Sequence, residues 1–207
     1  PAEVTRQPDW GFVGLYGNLL LAGVGFGDYS GRLGYEYTPQ GKRGIGWAPD
    51  NNASLGLIAF NRRTGRALWK VDAVHSFVHN AIVAGGGRIY CLDKLPSRVE
   101  EQLRRRGQQL PDYRLVALDA ASGQILWERT DATFGSWLGY SEHHDVLLQA
   151  GAAASDRSPD EVGKGMATYR GEDGTLLWEK PDLSYAGPCI LHNDLIITNT
   201  RSYSPSQ

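Results

Sequence analysis

The sequence predicts an all-β protein of the β-propeller class, built from four-stranded antiparallel blades. Its 207 residues include 26 glycines, ten tyrosines, six tryptophans and five phenylalanines, a composition typical of many short strands and turns. A glycine followed four residues later by a tryptophan occurs three times, within repeats of roughly 50–60 residues that each hold four strands, as propeller blades do. A β-sandwich is the alternative, but it would not place the same Gly-x-x-x-Trp pattern at the same point three times.

Each copy of the pattern reads as a strand, a tight turn and a second strand. The copies run over 57–69, 115–127 and 166–178, and their glycines are Gly65, Gly123 and Gly174. Small polar residues before each glycine can bond to the turn backbone, and the glycine can take a positive φ. The outer half of each blade is therefore predicted to be a hairpin.

The repeat spacing predicts the boundaries of the blades. We predict blade 1 over residues 9–72, blade 2 over 73–131, blade 3 over 132–182 and the first half of blade 4 over 183–207, all within one propeller domain. A closed ring has about 4–8 blades, and the sequence supplies about three and a half. We therefore expect an excerpt of a longer chain whose remaining blades or domains complete the ring. The alternative is completion by a second copy.

One helix is predicted, near residues 97–107. Ser97 and Glu100 form the capping-box pattern, and Gly107 is well placed to end the helix. The basic run 104–106 suggests phosphate binding, but two neighbouring glutamates favour a solvated helix face.

The repeats resemble the PQQ-like (quinoprotein-like) β-propeller repeat, with the consensus A-x-D-x-x-(S/T)-G-x-x-x-W. Ala117, Asp119, Ser122, Gly123 and Trp127 match every fixed position. In the first copy Gly65 and Trp69 match while Asn61 replaces the aspartate, and the third copy keeps Gly174 and Trp178. The resemblance implies that the tryptophan packs between neighbouring blades and that the turn residues lock the hairpin.

The resemblance implies two classes of function. Quinone-dependent dehydrogenases carry the repeat, and so do proteins that hold no quinone, because fold alone does not determine function. The dehydrogenases have an adjacent Cys-Cys pair and a calcium-binding set, whereas Cys91 and Cys189 are far apart in this sequence. A non-catalytic binding or scaffold module of a larger bacterial protein is favoured, with no cofactor. The alternative is part of a PQQ-dependent dehydrogenase with PQQ and calcium. Relatives of the repeat imply a periplasmic or extracellular location.

Three long connections are predicted to share one face of the ring, over residues 27–54, 93–114 and 151–165. Enlarged loops on a rigid scaffold favour a binding surface for a protein or a small molecule, although they could also simply cover the surface. The candidate ligand-face residues are Arg43, Trp47, Asp50, Asn52 and His75. If this segment holds a propeller enzyme of another kind, His75 with Arg43 and Asp50 is where its site is expected. No catalytic residue can be assigned from a motif.

Charge and hydropathy exclude other classes. A formal net charge of −2 gives no cationic surface for nucleic acid. The longest nearly apolar stretch, residues 19–26, is far shorter than the ~20 residues of a membrane-spanning helix. Adjacent residues of a strand point to opposite sides, and the alignment of the blades places His143 and His144 at a turn, so no metal site is predicted there.

Overall fold

The structure is a computed structural model of the chain. It describes residues 10–25, 53–95, 97–131, 133–151, 165–183, 185, 189–192, 195–198 and 202–203. Four of the candidate ligand-face residues lie outside these ranges: Arg43, Trp47, Asp50 and Asn52.

Within those ranges the chain forms antiparallel strands and one short helix. The strands are β1 (Trp10–Tyr16), β2 (Leu19–Val24), β3 (Ala53–Asn61), β4 (Ala67–Gly85), β5 (Arg88–Asp93), β6 (Arg114–Asp119), β7 (Ile125–Arg129), β8 (Trp137–Ser141), β9 (Val146–Ala150), β10 (Met166–Arg170), β11 (Leu176–Lys180), β12 (Ile190–His192), β13 (Leu195–Ile197) and β14 (Ser202–Tyr203). The helix α1 spans Ser97–Arg105. The predicted all-β class and the inserted helix are therefore confirmed.

The strands follow one another in chain order. Strands β1 to β7 form one hydrogen-bonded sheet, β8 to β11 form a four-stranded sheet, and β12 to β14 form a three-stranded sheet. The first blade consists of β1–β3 and the start of β4. The second blade consists of the end of β4 and β5–β7, and the third blade consists of β8–β11. We refer to β12–β14 as the last sheet. This is a partial propeller of antiparallel blades.

Strand β4 differs from the sequence expectation because it joins two blades without a break. Its 19 residues pair with β3 from Ala67 to Asp72 and again at Phe77 and Val78, and they pair with β5 at Phe77 and from Ile82 to Gly85. His75, just after the predicted boundary between the first and second blades, lies inside this strand. The side chain of Asp93 accepts hydrogen bonds from the N–H groups of Val74 and His75, so the crossing stays extended.

The hydrophobic core lies between successive blades. One cluster joins the first and second blades through residues such as Leu57 and Ile89. A second joins the second and third blades through residues such as Tyr90 and Leu147. A third lies between the third blade and the last sheet and includes Ile196. Each blade is thus stabilised mainly by its neighbours.

The three repeat turns have the same backbone geometry. Gly65, Gly123 and Gly174 have φ values of +69°, +73° and +72°. Their N–H groups donate to the carbonyl oxygens of Asn61, Asp119 and Arg170 at 2.8, 2.8 and 2.9 Å. Glycine is required because other residues are strained at such φ values.

The tryptophan of one blade covers the glycine of the next. Trp69 donates its indole N–H to the carbonyl of Ala120 at 3.0 Å, and Trp127 donates to Gly171 at 2.9 Å. A Cβ atom at Gly123 would lie 2.7 Å from the Trp69 ring, and one at Gly174 would lie 2.8 Å from the Trp127 ring. Each indole therefore needs a glycine beneath it.

The third turn makes the stability of the protein sensitive to acid. Hydrogen bonds from Thr175, assisted by Arg170, lower the pKa of Asp173 to about 2. Because this folded-state pKa lies below the ordinary value of 3.8, the carboxylate stabilises the fold above about pH 4, and this contribution disappears as the pH falls toward 2. A carbon-detected NMR titration of the Asp173 carboxyl should show a midpoint near 2. T175A should raise the midpoint toward the ordinary value, and a midpoint near 4 in the unchanged protein would contradict the assignment.

Candidate functional site

The candidate site is the loop face, which we define as the end of the blades where β5 connects to β6 through α1 and where β4 crosses between blades. The repeat turns lie at the opposite end, the turn face. In an antiparallel blade, the β3–β4 repeat turn lies at the same end as the β1–β2 turn. The N–H of Arg62, in the repeat turn, donates to the carbonyl of Asn18 in the β1–β2 turn, which confirms this placement. Of the predicted ligand-face residues, the structure describes only His75.

His75 contacts the connection that carries the helix. Its Nε2 lies 3.2 Å from the carbonyl oxygen of Asp112, and its ring packs edge-on against Tyr113 with 5.9 Å between centroids. A carbonyl can only accept, so Nε2 is the donor in this contact. His75 therefore links β4 to the β5–β6 connection.

Asp93 is the buried anchor of the crossing strand. It is fully buried, and its carboxylate accepts from the N–H groups of Val74 and His75 at 2.8 Å and from Nε of Arg114 at 2.8 Å. Arg114 also pairs with Glu128 at 3.0 Å. Burial alone would lower the pKa of Arg114, but its bonds with Asp93 and Glu128 raise it above the ordinary value. The guanidinium therefore stays charged.

Lys94 and Glu100 form a buried ion pair under the helix. Their charged atoms are 3.2 Å apart, and the side chains are only 5% and 3% exposed. The Lys94 ammonium also donates to the carbonyl of Gly135 at 3.1 Å and lies 5.4 Å from the centre of the Tyr113 ring. The pair thus connects the helix to the second blade and to the start of the third.

An apolar cluster completes the attachment of α1. Leu95, Val99 and Leu103 are buried together, with Leu110 and Tyr113 packed against them. Arg104 and Arg105 in the last helical turn, and Arg106 after it, are exposed, in agreement with the predicted solvated face. The sequence could predict the helix, but nothing local indicated that Glu100 pairs with Lys94.

A second polar contact joins the first two blades. The Ser54 hydroxyl lies 2.7 Å from Nε2 of His79, and Ser54 is fully buried. A Cβ atom at Gly23 would lie 2.3 Å from the Ser54 hydroxyl oxygen, so no space remains between Gly23 and this hydroxyl. The pair therefore acts as a contact between strands. Sequence reasoning missed it because the two residues are 25 positions apart.

The turn face carries a further cluster that the sequence did not predict. Asp145, at φ +51°, accepts from the Arg88 guanidinium at 2.7 Å, from the Tyr140 hydroxyl at 2.6 Å and from the Glu172 N–H at 3.0 Å. Burial raises the pKa of the Tyr140 phenol, which keeps it a neutral donor. The cluster connects the second and third blades.

Among the residues described, no group of three or more His, Cys, Asp or Glu could hold a metal ion. Cys91 and Cys189 are both buried, in different interblade clusters. No described helix is long and apolar enough to cross a membrane.

Comparisons with known proteins agree with this architecture. A family model described as "Outer membrane protein assembly factor BamB" matches residues 52–187, more than half of the chain. A search of curated proteins gave no match.

Two designed proteins share this fold at low sequence identity, and one BamB structure is also similar. The computationally designed Ika4 protein is 9% identical, with a TM-score of 0.54 over 98% of this chain and 95% of that chain. The designed Ika8 protein is 8% identical, with a TM-score of 0.52 over 93% of this chain and 43% of that chain. BamB from Moraxella catarrhalis is 16% identical, with a TM-score of 0.47 over 73% of this chain and 39% of that chain. The chain thus spans less than half the length of Ika8 and of this BamB.

Proposed function

Because the chain belongs to the PQQ-like repeat family whose model is described as outer membrane protein assembly factor BamB, we propose that it is a non-catalytic β-propeller segment. It works as a binding or scaffold module of a larger bacterial protein. The loop face around α1 is its binding surface, and a protein is its partner. The periplasm is its proposed location, in keeping with the family description.

One observation carries this proposal: the charged side chains beneath the loop face hold its elements in place. Asp93 fixes the crossing of β4, and the Lys94–Glu100 pair fixes α1. These groups are buried, while Arg104 and Arg105 in the helix and residues 106–109 after it are exposed. A rigid, pre-formed surface of this kind favours binding, because little conformational freedom is lost when a partner docks.

Photo-crosslinking in the native protein tests the binding surface. We expect Gln108→p-benzoylphenylalanine, on the loop face, to crosslink to a partner protein. Glu172→p-benzoylphenylalanine, on the turn face and also exposed, is the matched control and should give no such product. Equal products from both positions, or none from Gln108, would overturn the loop face as the binding surface.

Ligand titration separates this function from that of a quinoprotein dehydrogenase. PQQ with calcium is expected to leave the melting temperature of the native protein unchanged. A ligand at 100 times its Kd would stabilise the fold by about 2.7 kcal/mol. A saturable rise in melting temperature that requires both PQQ and calcium would overturn the non-catalytic assignment.

A further inference from the structure

The helix α1 uses one of its glutamates inside the protein rather than at the surface. The sequence favours a solvated helix face because glutamates precede the basic run. In the structure the Glu100 carboxylate lies 3.2 Å from the Lys94 ammonium, and its side chain is only 3% exposed. The negative charge of Glu100 is therefore compensated by Lys94 beneath the helix and contributes little to the outer surface.

The exposed charge at the end of the helix is basic. Arg104 and Arg105 lie in its last turn, Arg106 follows it, and all three are exposed. Among the side chains described between positions 99 and 111, these arginines and the buried Glu100 are the only charged groups. The described surface of this stretch thus presents three adjacent guanidinium groups on the loop face.

The backbone closes the helix end without help from these side chains. Gly107, at φ +68°, turns the chain back. The N–H groups of Arg106 and Gln108 donate to the carbonyl of Leu103 at 3.1 and 2.9 Å, and the Gly107 N–H donates to the carbonyl of Arg104 at 2.9 Å. The last carbonyls are therefore satisfied as in an ordinary glycine-terminated helix, and the arginine run is not needed to cap it.

The surroundings of the arginines favour a protein over a membrane. A helix that lies on a membrane inserts its apolar side into the lipid, but Val99 and Leu103 of this helix are buried against Leu95. The exposed residues that follow the arginines, Gln108 and Gln109, are polar. Charge and hydrogen bonding, rather than insertion of apolar side chains, are what this surface provides.

We propose that the exposed arginines at the end of α1 bind an acidic segment of the partner protein. This inference rests on the function proposed above and names the chemistry of its partner. Guanidinium groups pair with Asp and Glu carboxylates through two parallel hydrogen bonds. The buried Lys94–Glu100 pair holds the helix that carries them, so the arginines extend from a fixed base and little freedom of the backbone is lost on binding.

Charge reversal in the crosslinking protein tests the inference. In the native protein that carries Gln108→p-benzoylphenylalanine, R105E/R106E should lower the yield of the partner crosslink about tenfold at low salt. The matched control is R62E/R63E, which reverses two adjacent exposed arginines on the turn face and should change the yield less than about twofold. R105K/R106K keeps the charges and should retain most of the yield.

Two measurements on the crosslinking protein without charge reversal keep the test independent of any effect of the glutamates on folding. Raising the salt from about 0.01 M to about 1 M shortens the screening length from about 30 Å to about 3 Å, so the yield should fall. Mass spectrometry should map the crosslink to a partner peptide rich in aspartate and glutamate.

The outcomes separate this inference from the proposed function. A protein crosslink that is insensitive to salt and to R105E/R106E, or that maps to a peptide without acidic residues, would overturn the acidic partner and leave the loop face as the binding surface. No protein product from Gln108 at any salt concentration, or a product with lipid alone, would overturn the proposed function and this inference with it.

Discussion

Replacing Trp127 with alanine is expected to lower the free energy of unfolding by about 3 kcal/mol, at the lower end of the range for buried aromatic residues. The ring covers Gly174, lies 5.9 Å from the Tyr90 ring and donates to the carbonyl of Gly171. Its removal opens a cavity between the second and third blades and leaves that carbonyl without its donor. Urea unfolding measures the loss, and hydrogen exchange should show faster opening of β10 and β11.

Two variants of the same strand define what the indole contributes. I125A removes an exposed side chain from β7 and should cost less than about 0.5 kcal/mol. W127F keeps most of the ring but removes the N–H donor, and should cost about 1 kcal/mol. Equal effects of W127A and I125A would mean that the tryptophan does not hold the blades together.

Replacing Glu100 with leucine is expected to destabilise the protein by about 3 kcal/mol, because the buried Lys94 ammonium then loses this carboxylate. Lys94 would keep its bond to Gly135 and its contact with Tyr113, which places the cost at the lower end of the range for such pairs. Since the pair fixes α1, hydrogen exchange in the helix should increase as well.

The double variant K94M/E100L separates the effect of the two charges on stability from the effect of side-chain packing. Removing both charges should restore most of the lost stability, because well-packed apolar residues can replace a buried ion pair. If E100L alone costs less than about 1 kcal/mol, the pair is effectively solvated and the helix is held by Leu95, Val99 and Leu103 alone.

The sequence predicts those parts of the fold that depend on local patterns. The positions of Gly65, Gly123 and Gly174 indicate the hairpins because a tight turn needs a positive φ at one fixed point. The helix was predicted from Ser97 and Gly107, which lie at its two ends. These signals span fewer than a dozen residues, so a single sequence contains them in full.

The parts that were missed depend on contacts between distant residues. Ser54 meets His79 and Arg88 meets Asp145 only after the blades have stacked. The continuity of β4 was missed because the carboxylate that supports it, Asp93, follows His75 by eighteen positions. Within the candidate site, the sequence therefore indicated which face to consider but not which side chains hold that face together.

The third repeat turn shows which positions of the motif can differ from the consensus while the blade still forms. The side chains of Asn61 and Asp119 accept hydrogen bonds from the residues that follow them, whereas the Arg170 side chain can only donate and does so to Asp173. The backbone bond that closes the turn is nevertheless kept, as is the glycine under the indole. Within this chain, the glycine and the tryptophan are therefore the two repeat positions that the interblade contact requires, whereas the first turn position accepts different side chains. A further copy of such a blade should be recognised by that pair even where the rest of the consensus is absent.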